Sequence, residues 1–576
     1  MKSTPRPVAG GLLALAMALA GPGQHRAAPP TTAIKLDQAG YLPTAPKIAL
    51  VVSPEPASAF FVRRAADDSI AYRGKLATPV ADPDTGDRVQ AAEFTPLQAT
   101  GVYYLDVPGT GRSWRFSIAP DVYARAYYLS ARAFYGQRCG TAVDLGPEFP
   151  GYRHPACHLE GGYHPSSGKT GPIHNPGGWH DAGDYGRYTV NSGIATGTLL
   201  WAWELFGARL RDVSLKIPES GRAMPDLLNE IRWNLDWMLS LQDEDGGVWH
   251  KQTSEKFPGF VAPNEDGSLS LVIGTGRRPY KNSCATGDLA AVAAIATRVY
   301  QPFDRAYTER NRQAALRAWE WLERNPDVAF HNPPGVETGE YGDPDCRDER
   351  LWAAAELWRT TREAAYERYF LDRYRSFENA LQSPRPEGWA DVAPLALWTY
   401  LLGGGSDAAA AADIREQARK SADEAVARTR RNPYRHSLAA ADYVWGSNGV
   451  AADSGVALLV ANTLHPDRQY VEAALENLHY LLGRNTFSLS WVTQLGENPY
   501  RHPHHRPSGA PGSPGPWPGL LAGGPNRHRQ DPVLQALPDL PPARMNVDDQ
   551  ASYSSNEIAI NWNASLVFLL VGVMGR

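Results

Sequence analysis

Cysteine is scarce: the 576 residues include four, Cys139, Cys157, Cys284 and Cys346. That is too few for a disulfide scaffold at this length, so the fold must rest on packed cores and each thiol needs its own explanation. Basic charge is not in excess either. The 57 Lys and Arg face 62 Asp and Glu, a net charge of -5, which supplies no field for a phosphate backbone and argues against nucleic acid as a partner. No apolar run reaches the ~20 residues that a stable membrane span needs. A Ser/Thr/Pro-rich linker or repeat is missing from the C-terminal end, so the chain is expected to finish with its last folded domain.

What is present is a large globular composition, 43% hydrophobic and 10% aromatic, with 17 Trp and 26 Tyr. Most of these rings must be core, but exposed ones suit the apolar faces of sugars. Lys2 and Arg6 precede a short apolar run, Val8 to Ala20, with small residues at its end. This pattern predicts a signal peptide over 1–28, cleaved between Ala20 and Ala28, and hence a secreted or periplasmic protein with no membrane anchor after cleavage.

From 33 to 118 apolar residues alternate, as in Tyr103, Leu105 and Val107, then Trp114, Phe116 and Ile118, with Gly/Pro turns between. A small β-sandwich is expected there. From 122 to 576 the period lengthens to about three and a half residues. Met224, Leu227, Leu228, Ile231, Leu235 and Met238 share one helical face, and roughly ten to twelve such helices are expected. Cys284 and Cys346, both in this region, are expected to be buried free thiols, although pairing between them is open. Long Gly/Pro-rich loops, Gly246 to Lys281 and Gly496 to Pro542, suggest a binding face on a helical scaffold.

Chemistry concentrates in three stretches. Gly177-Gly178-Trp179-His180-Asp181-Ala182-Gly183-Asp184-Tyr185-Gly186 sets two carboxylates three residues apart in a glycine-punctuated turn. Either both acids point into a cleft, or one of them caps the helix that follows. Glu557, after Tyr553-Ser554-Ser555-Asn556, is expected in the first turn of the last helix. There it is either an ionised acid at a positive helix end or, if buried, a general acid with a raised pKa. Finally, His502, His504 and His505 gather with Arg501 and Arg506 in a proline-stiffened loop. The arginines and the lack of nearby acids or cysteines favour hydrogen bonding to sugar hydroxyls over a metal.

The chain closely resembles glycoside hydrolase family 9, the inverting cellulases with an N-terminal immunoglobulin-like domain. The resemblance rests on Leu36-Asp37-Gln38-Ala39-Gly40-Tyr41, on Gly178 to Gly186, on Asp245 to Lys251, on Asp348 to Ala354, on Trp445-Gly446-Ser447-Asn448 and on a His-x-Arg signature at His504 and Arg506. One departure is Asn546, where the family usually has an aromatic two residues before the position of Asp548. The resemblance implies a mainly α fold, an (α/α)6 barrel preceded by the β-sandwich. It also implies Asp184 as general base, Asp181 holding the water, Glu557 as general acid, and His504, Arg506 and Tyr553 binding sugar. In inverting enzymes base and acid flank the bond roughly 6.5–9.5 Å apart, leaving room for water.

Cys139, Cys157, His158 and His180 form a ligand set accepted by structural zinc, and a Cys139–Cys157 disulfide is the alternative. The resemblance favours zinc, and it also implies calcium, for which the sequence assigns no ligands. The expected protein is a monomeric, secreted endo-β-1,4-glucanase acting on cellulose or a related β-glucan. The alternatives are an exo-acting β-glucosidase or glucosaminidase, with Gly509 to Asp531 blocking one end of the groove, and a non-catalytic carbohydrate-binding protein.

Overall fold

The computed structural model describes residue 1 and residues 29–377, 379–382 and 386–575. The leader expected over 1–28 lies, apart from Met1, outside the described residues.

The alternating N-terminal stretch folds as two sheets. One pairs, in order, Ile34–Lys35, Ile48–Val51, Arg88–Glu93 and Val80–Ala81. The other orders Gly40–Tyr41, Phe116–Ile118, Gly101–Val107, Ala59–Arg64 and Ile70–Lys75, with Gly111–Arg112 beside Gly101–Val107. Tyr103, Leu105, Val107, Phe116 and Ile118 turn inward as their spacing requires, onto a core shared with Phe60 and Phe94.

Twelve helices of eight residues or more follow among the described residues: α1 Ala124–Gly136, α2 Thr189–Phe206, α3 Asp226–Ser240, α4 Ser283–Tyr300, α5 Arg305–Arg324, α6 Arg347–Thr361, α7 Ala364–Leu371, α8 Ala393–Leu402, α9 Ala408–Arg431, α10 Ser447–Leu464, α11 Arg468–Leu481 and α12 Ile560–Val573. They fall into two kinds. In α4, 17 of 18 residues are buried, against 8 of 24 in α9. A helix apolar all round belongs inside and one apolar on a single face belongs outside. The packing follows: α2 lies on α4, α4 on α6, α6 on α8, α8 on α10, α10 on α12 and α12 back on α2, closing a ring of even-numbered helices. The apolar end Leu566 to Val573 is part of that ring, and no helix of the described residues is long and apolar enough to cross a membrane.

Cys284 and Cys346 are not free thiols, the state expected from sequence. They form a disulfide, with Cα atoms 4.7 Å apart. The reason is topological: Cys284 lies in the first turn of α4 and Cys346 caps α6, and these neighbouring inner helices start side by side.

The two parts of the molecule share a polar seam. Asp37 in the sandwich meets His479 of α11 at 2.8 Å, Lys35 Nζ donates to the Thr486 carbonyl at 2.7 Å, and Asp87 accepts from Tyr434, Thr486 and Arg544. A further five-stranded sheet, Pro172–Ile173, Gly161–Tyr163, Ser270–Ile273, Lys251–Thr253 and Arg187–Tyr188, covers one side of the ring's mouth and feeds the chain into α2.

Candidate active site

A cleft of about 1160 Å³ opens where the inner helices begin. Almost every lining residue comes from a loop leading into an even-numbered helix: Asp181 to Tyr188 before α2, Phe257 before α4, Asn332 to Tyr341 before α6, Pro386 to Asp391 before α8, Trp445 before α10, and His504, Arg506, Tyr553 and Glu557 before α12. Residues far apart in sequence therefore converge on one face.

The two aspartates do not cap a helix. α2 starts at Thr189 behind Tyr188, with no side-chain cap. Instead both carboxylates are buried in the cleft wall, 1% and 5% exposed. Asp181 accepts from Asn191 Nδ2 at 2.8 Å and from the Tyr341 hydroxyl at 2.6 Å. Asp184 accepts from the Gly186 N–H at 3.0 Å and the Tyr188 hydroxyl at 2.8 Å, both on Oδ2. The glycines beside them are needed for close approach rather than for turning. A Cβ on Gly183 would lie 2.1 Å from the His504 carbonyl oxygen, and one on Gly186 would lie 2.7 Å from Asp184 Oδ2.

Glu557 is not in the first turn of the last helix, as its sequence context suggests. Tyr553–Asn556 form a short helical turn, Glu557 follows it in extended conformation, and α12 begins only at Ile560. The extended backbone lets residue 557 bridge to His504 and sets its side chain in the cleft rather than along a helix axis. Burial, then the charges of Asp184 and Asp181, push its carboxyl up to about 8, against Arg506 and the Gly183 N–H. Burial and Asp184 also push Asp181 up, opposed by Tyr341 and Asn191.

His504 and Arg506 sit beside these acids. His504 Nδ1 is 2.7 Å from the Gln550 carbonyl and burial lowers its pKa, so the ring is neutral, donates there, and offers Nε2 as an acceptor. Arg506 gives Nε to the Pro258 carbonyl and Nη1 to the Gly183 carbonyl, both at 2.9 Å, over the rings of Phe257 and Phe260. Aromatic contacts extend both walls. Tyr188, Tyr341 and Trp389 run in succession with centroids 4.7 and 4.9 Å apart; Trp445, Tyr553 and His504 do so on the other side at 5.6 and 5.9 Å. Tyr341 and Trp389 escaped the sequence reading although acids flank both, Glu340 and Asp343 for one and Glu387 and Asp391 for the other; their signal is an aromatic among acids just ahead of an inner helix.

Two clusters can hold cations. The ligand atoms of Cys139, Cys157, His158 and His180 all lie within 4.8 Å of one another. Cys139 Sγ is 3.7 Å from His158 Nδ1 and Cys157 Sγ is 3.8 Å from His180 Nε2. The S···N edge of a tetrahedral site with bonds near 2.3 and 2.0–2.1 Å is roughly 3.6 Å, so the set fits a closed metal site. Asp266 Oδ2, 3.1 Å from His158 Nε2, orients that imidazole. The two thiols are unpaired, so the alternative disulfide is not formed. In the second cluster Asp343, Asp348 and Glu349 bring carboxylate oxygens within 4.8 Å; Asp343 Oδ2 and both Glu349 oxygens are buried without a hydrogen-bond partner among the described residues. An all-oxygen set of that kind suits a hard divalent cation.

The profile of glycosyl hydrolase family 9 matches residues 123–570, and that of the cellulase N-terminal ig-like domain matches 29–112. The chain belongs to glycosyl hydrolase family 9. Endoglucanase D of Acetivibrio thermocellus is 37% identical over 544 residues, 94% of this chain and 83% of that protein. A cellodextrinase of Butyrivibrio fibrisolvens is 33% identical, covering 94% and 99%. Among solved structures, a zinc-binding triple mutant of the family 9 endoglucanase J30 superposes with a TM-score of 0.86 at 35% identity, covering 92% of this chain and 99% of that one. Gly509 to Asp531, the loop that the exo-acting alternative would use as a block, contributes no residue to the lining of the cleft. It packs backward instead, with Trp517 against Tyr152 and His154 at 5.9 Å and Leu520 to Ala522 buried in the core.

Proposed function

We propose that the protein is a secreted endo-β-1,4-glucanase that hydrolyses cellulose or a related β-glucan with inversion. Residues 122–576 form an (α/α)6 barrel, the even-numbered helices its inner ring, behind an immunoglobulin-like domain over 33–118. The observation that carries the reading is the meeting of Asp181, Asp184 and Glu557 in one cleft, where burial and the two aspartates push the Glu557 carboxyl up to about 8. Such a group is built to give a proton away.

A water held between Asp184 and Asp181 attacks the anomeric carbon from the face opposite Glu557. Asp184 takes the water's proton as the C–O bond to the leaving sugar breaks, and Glu557 protonates the departing oxygen. His504 Nε2 accepts from a sugar hydroxyl, Arg506 donates to another, and Tyr553, with the two aromatic walls, stacks on sugar faces. The cleft exceeds the usual ~300–1,000 Å³ of a small-ligand pocket, in keeping with a chain of several sugars. The relatives named endoglucanase and cellodextrinase favour a soluble or crystalline β-1,4-glucan, and the protein acts as a monomer.

Cys139, Cys157, His158 and His180 would hold zinc, which would supply structural cross-linking of the loop ahead of Asp181. Asp343, Asp348 and Glu349, at the entrance to α6, would hold calcium, which would offset their charge.

Asp184→Ala and Glu557→Ala are each expected to lower kcat by roughly 10²–10⁴-fold on a soluble β-glucan with the fold retained. Near-normal turnover in either variant would show that its role is misassigned.

A further inference from the structure

Behind the cleft wall lies a lysine that the acid–base chemistry does not use. Lys251 stands directly opposite Tyr188 in the antiparallel pairing of Lys251–Thr253 with Arg187–Tyr188. It is fully buried. Its Nζ donates to Asn332 Oδ1 at 2.6 Å, to the Gly339 carbonyl at 2.8 Å and to the Thr338 carbonyl at 3.3 Å. An ammonium has three N–H donors, and here all three go to one segment, 332–341. That segment ends in Tyr341.

The consequences reach both aspartates. The Tyr341 hydroxyl donates to Asp181 Oδ2 at 2.6 Å, its ring packs on Tyr188 with centroids 4.7 Å apart, and the Tyr188 hydroxyl donates to Asp184 Oδ2 at 2.8 Å. Lys251 is thus joined by backbone pairing to the tyrosine on Asp184 and by hydrogen bonds to the segment whose tyrosine holds Asp181. The ionisable groups that face it include the acids Asp184 and Glu340 and the imidazoles of His164 and His250. Burial lowers its pKa to about 7, and both acids act to keep it charged.

We propose that Lys251 is a positioning residue for the reaction: it anchors segment 332–341 so that Tyr341 sets Asp181, and its strand pairing with Tyr188 steadies the tyrosine that holds Asp184. The proposal rests on the assignment of Asp184 as base. A lysine that merely satisfied loop carbonyls would matter to stability alone, and the two roles separate in kinetics.

The test compares Lys251→Met, Lys251→Arg, Tyr341→Phe and Asp184→Ala on a soluble β-glucan, with melting temperatures measured for each. Lys251→Met should lower kcat about tenfold or more, because an ångström-scale misplacement of a catalytic group is costly. KM should change little, so the loss is confined to kcat. Lys251→Arg, which keeps charged donors for the 332–341 acceptors, should recover part of the lost kcat. The double variant Lys251→Met/Tyr341→Phe should lose no more than the worse single change, as for two groups acting through one contact. Unchanged kcat in Lys251→Met, or a loss of melting temperature with kcat intact, would overturn the proposal. If that variant does not fold, Asn332→Ala removes the shortest acceptor, and an unaltered kcat there overturns it equally. Should Asp184→Ala remain active, it is the acid–base reading that fails instead.

Discussion

At the scale of single residues, the account turns on which carboxyl keeps its proton. In the proposed mechanism Glu557, pushed up to about 8, donates the proton, so kcat/KM should fall on the alkaline side with an apparent pKa near that value. The same shift has a stability consequence. Because the folded carboxyl binds its proton more tightly than the unfolded one, the native state holds more protons between about pH 4.5 and 8, and stability falls as pH rises through that window. Glu557→Gln does not titrate, so its melting temperature should exceed that of the wild type by more at pH 8 than at pH 5. The difference is on the order of 1 kcal/mol once partial exposure is allowed for. An equal offset at both pH values would mean that Glu557 is ionised in the fold. The aspartate pair was legible from sequence because glycines crowd it, and Gly183 and Gly186 prove to be required by contacts under 3 Å. Tyr341, which holds Asp181, was not legible: a tyrosine 160 positions away carries no local mark of that contact.

At the scale of elements, the helix faces were readable and their partners were not. Periodicity gave a count of roughly ten to twelve helices, while their closure into a barrel was implied only by the family resemblance, because an apolar face does not say which helix covers it. Pairing of Cys284 with Cys346 depends on two inner helices starting side by side, a tertiary fact beyond any spacing rule. The metal loop shows the converse: Cys139, Cys157, His158 and His180 were recognisable as donors, and the fold brings them together. Removing the ion should therefore lower the melting temperature and kcat together, and expose two titratable thiols, with zinc restoring all three readouts. Protein verified as metal-free that keeps full activity and shielded thiols would break the link between this loop and Asp181.

At the scale of the whole molecule, the N-terminal sheets are bound to the C-terminal part of the helical domain by buried polar contacts. Asp37 against His479 and Asp87 against Thr486 tie them to the segment that runs on to His504 and Arg506, while Asp87 also meets Tyr434 and Arg544 on either side of that segment in sequence. Burial pushes Asp37 up and His479 down, so separating the parts would expose a matched pair. One calorimetric transition is expected for the two parts, and two well-separated transitions would show that they fold independently. The architecture as a whole was legible because long motifs recur in order along nearly the entire chain. The cleft was not, since its lining comes from the entrances of six helices.

The central claim, that Asp184 and Glu557 work from opposite faces of the sugar, is tested most directly by the anomeric form of the first product, followed by proton NMR during hydrolysis of a soluble β-1,4-glucan. The account predicts that the α-anomer appears first and mutarotates towards the β form; prompt release of the β-anomer would contradict it.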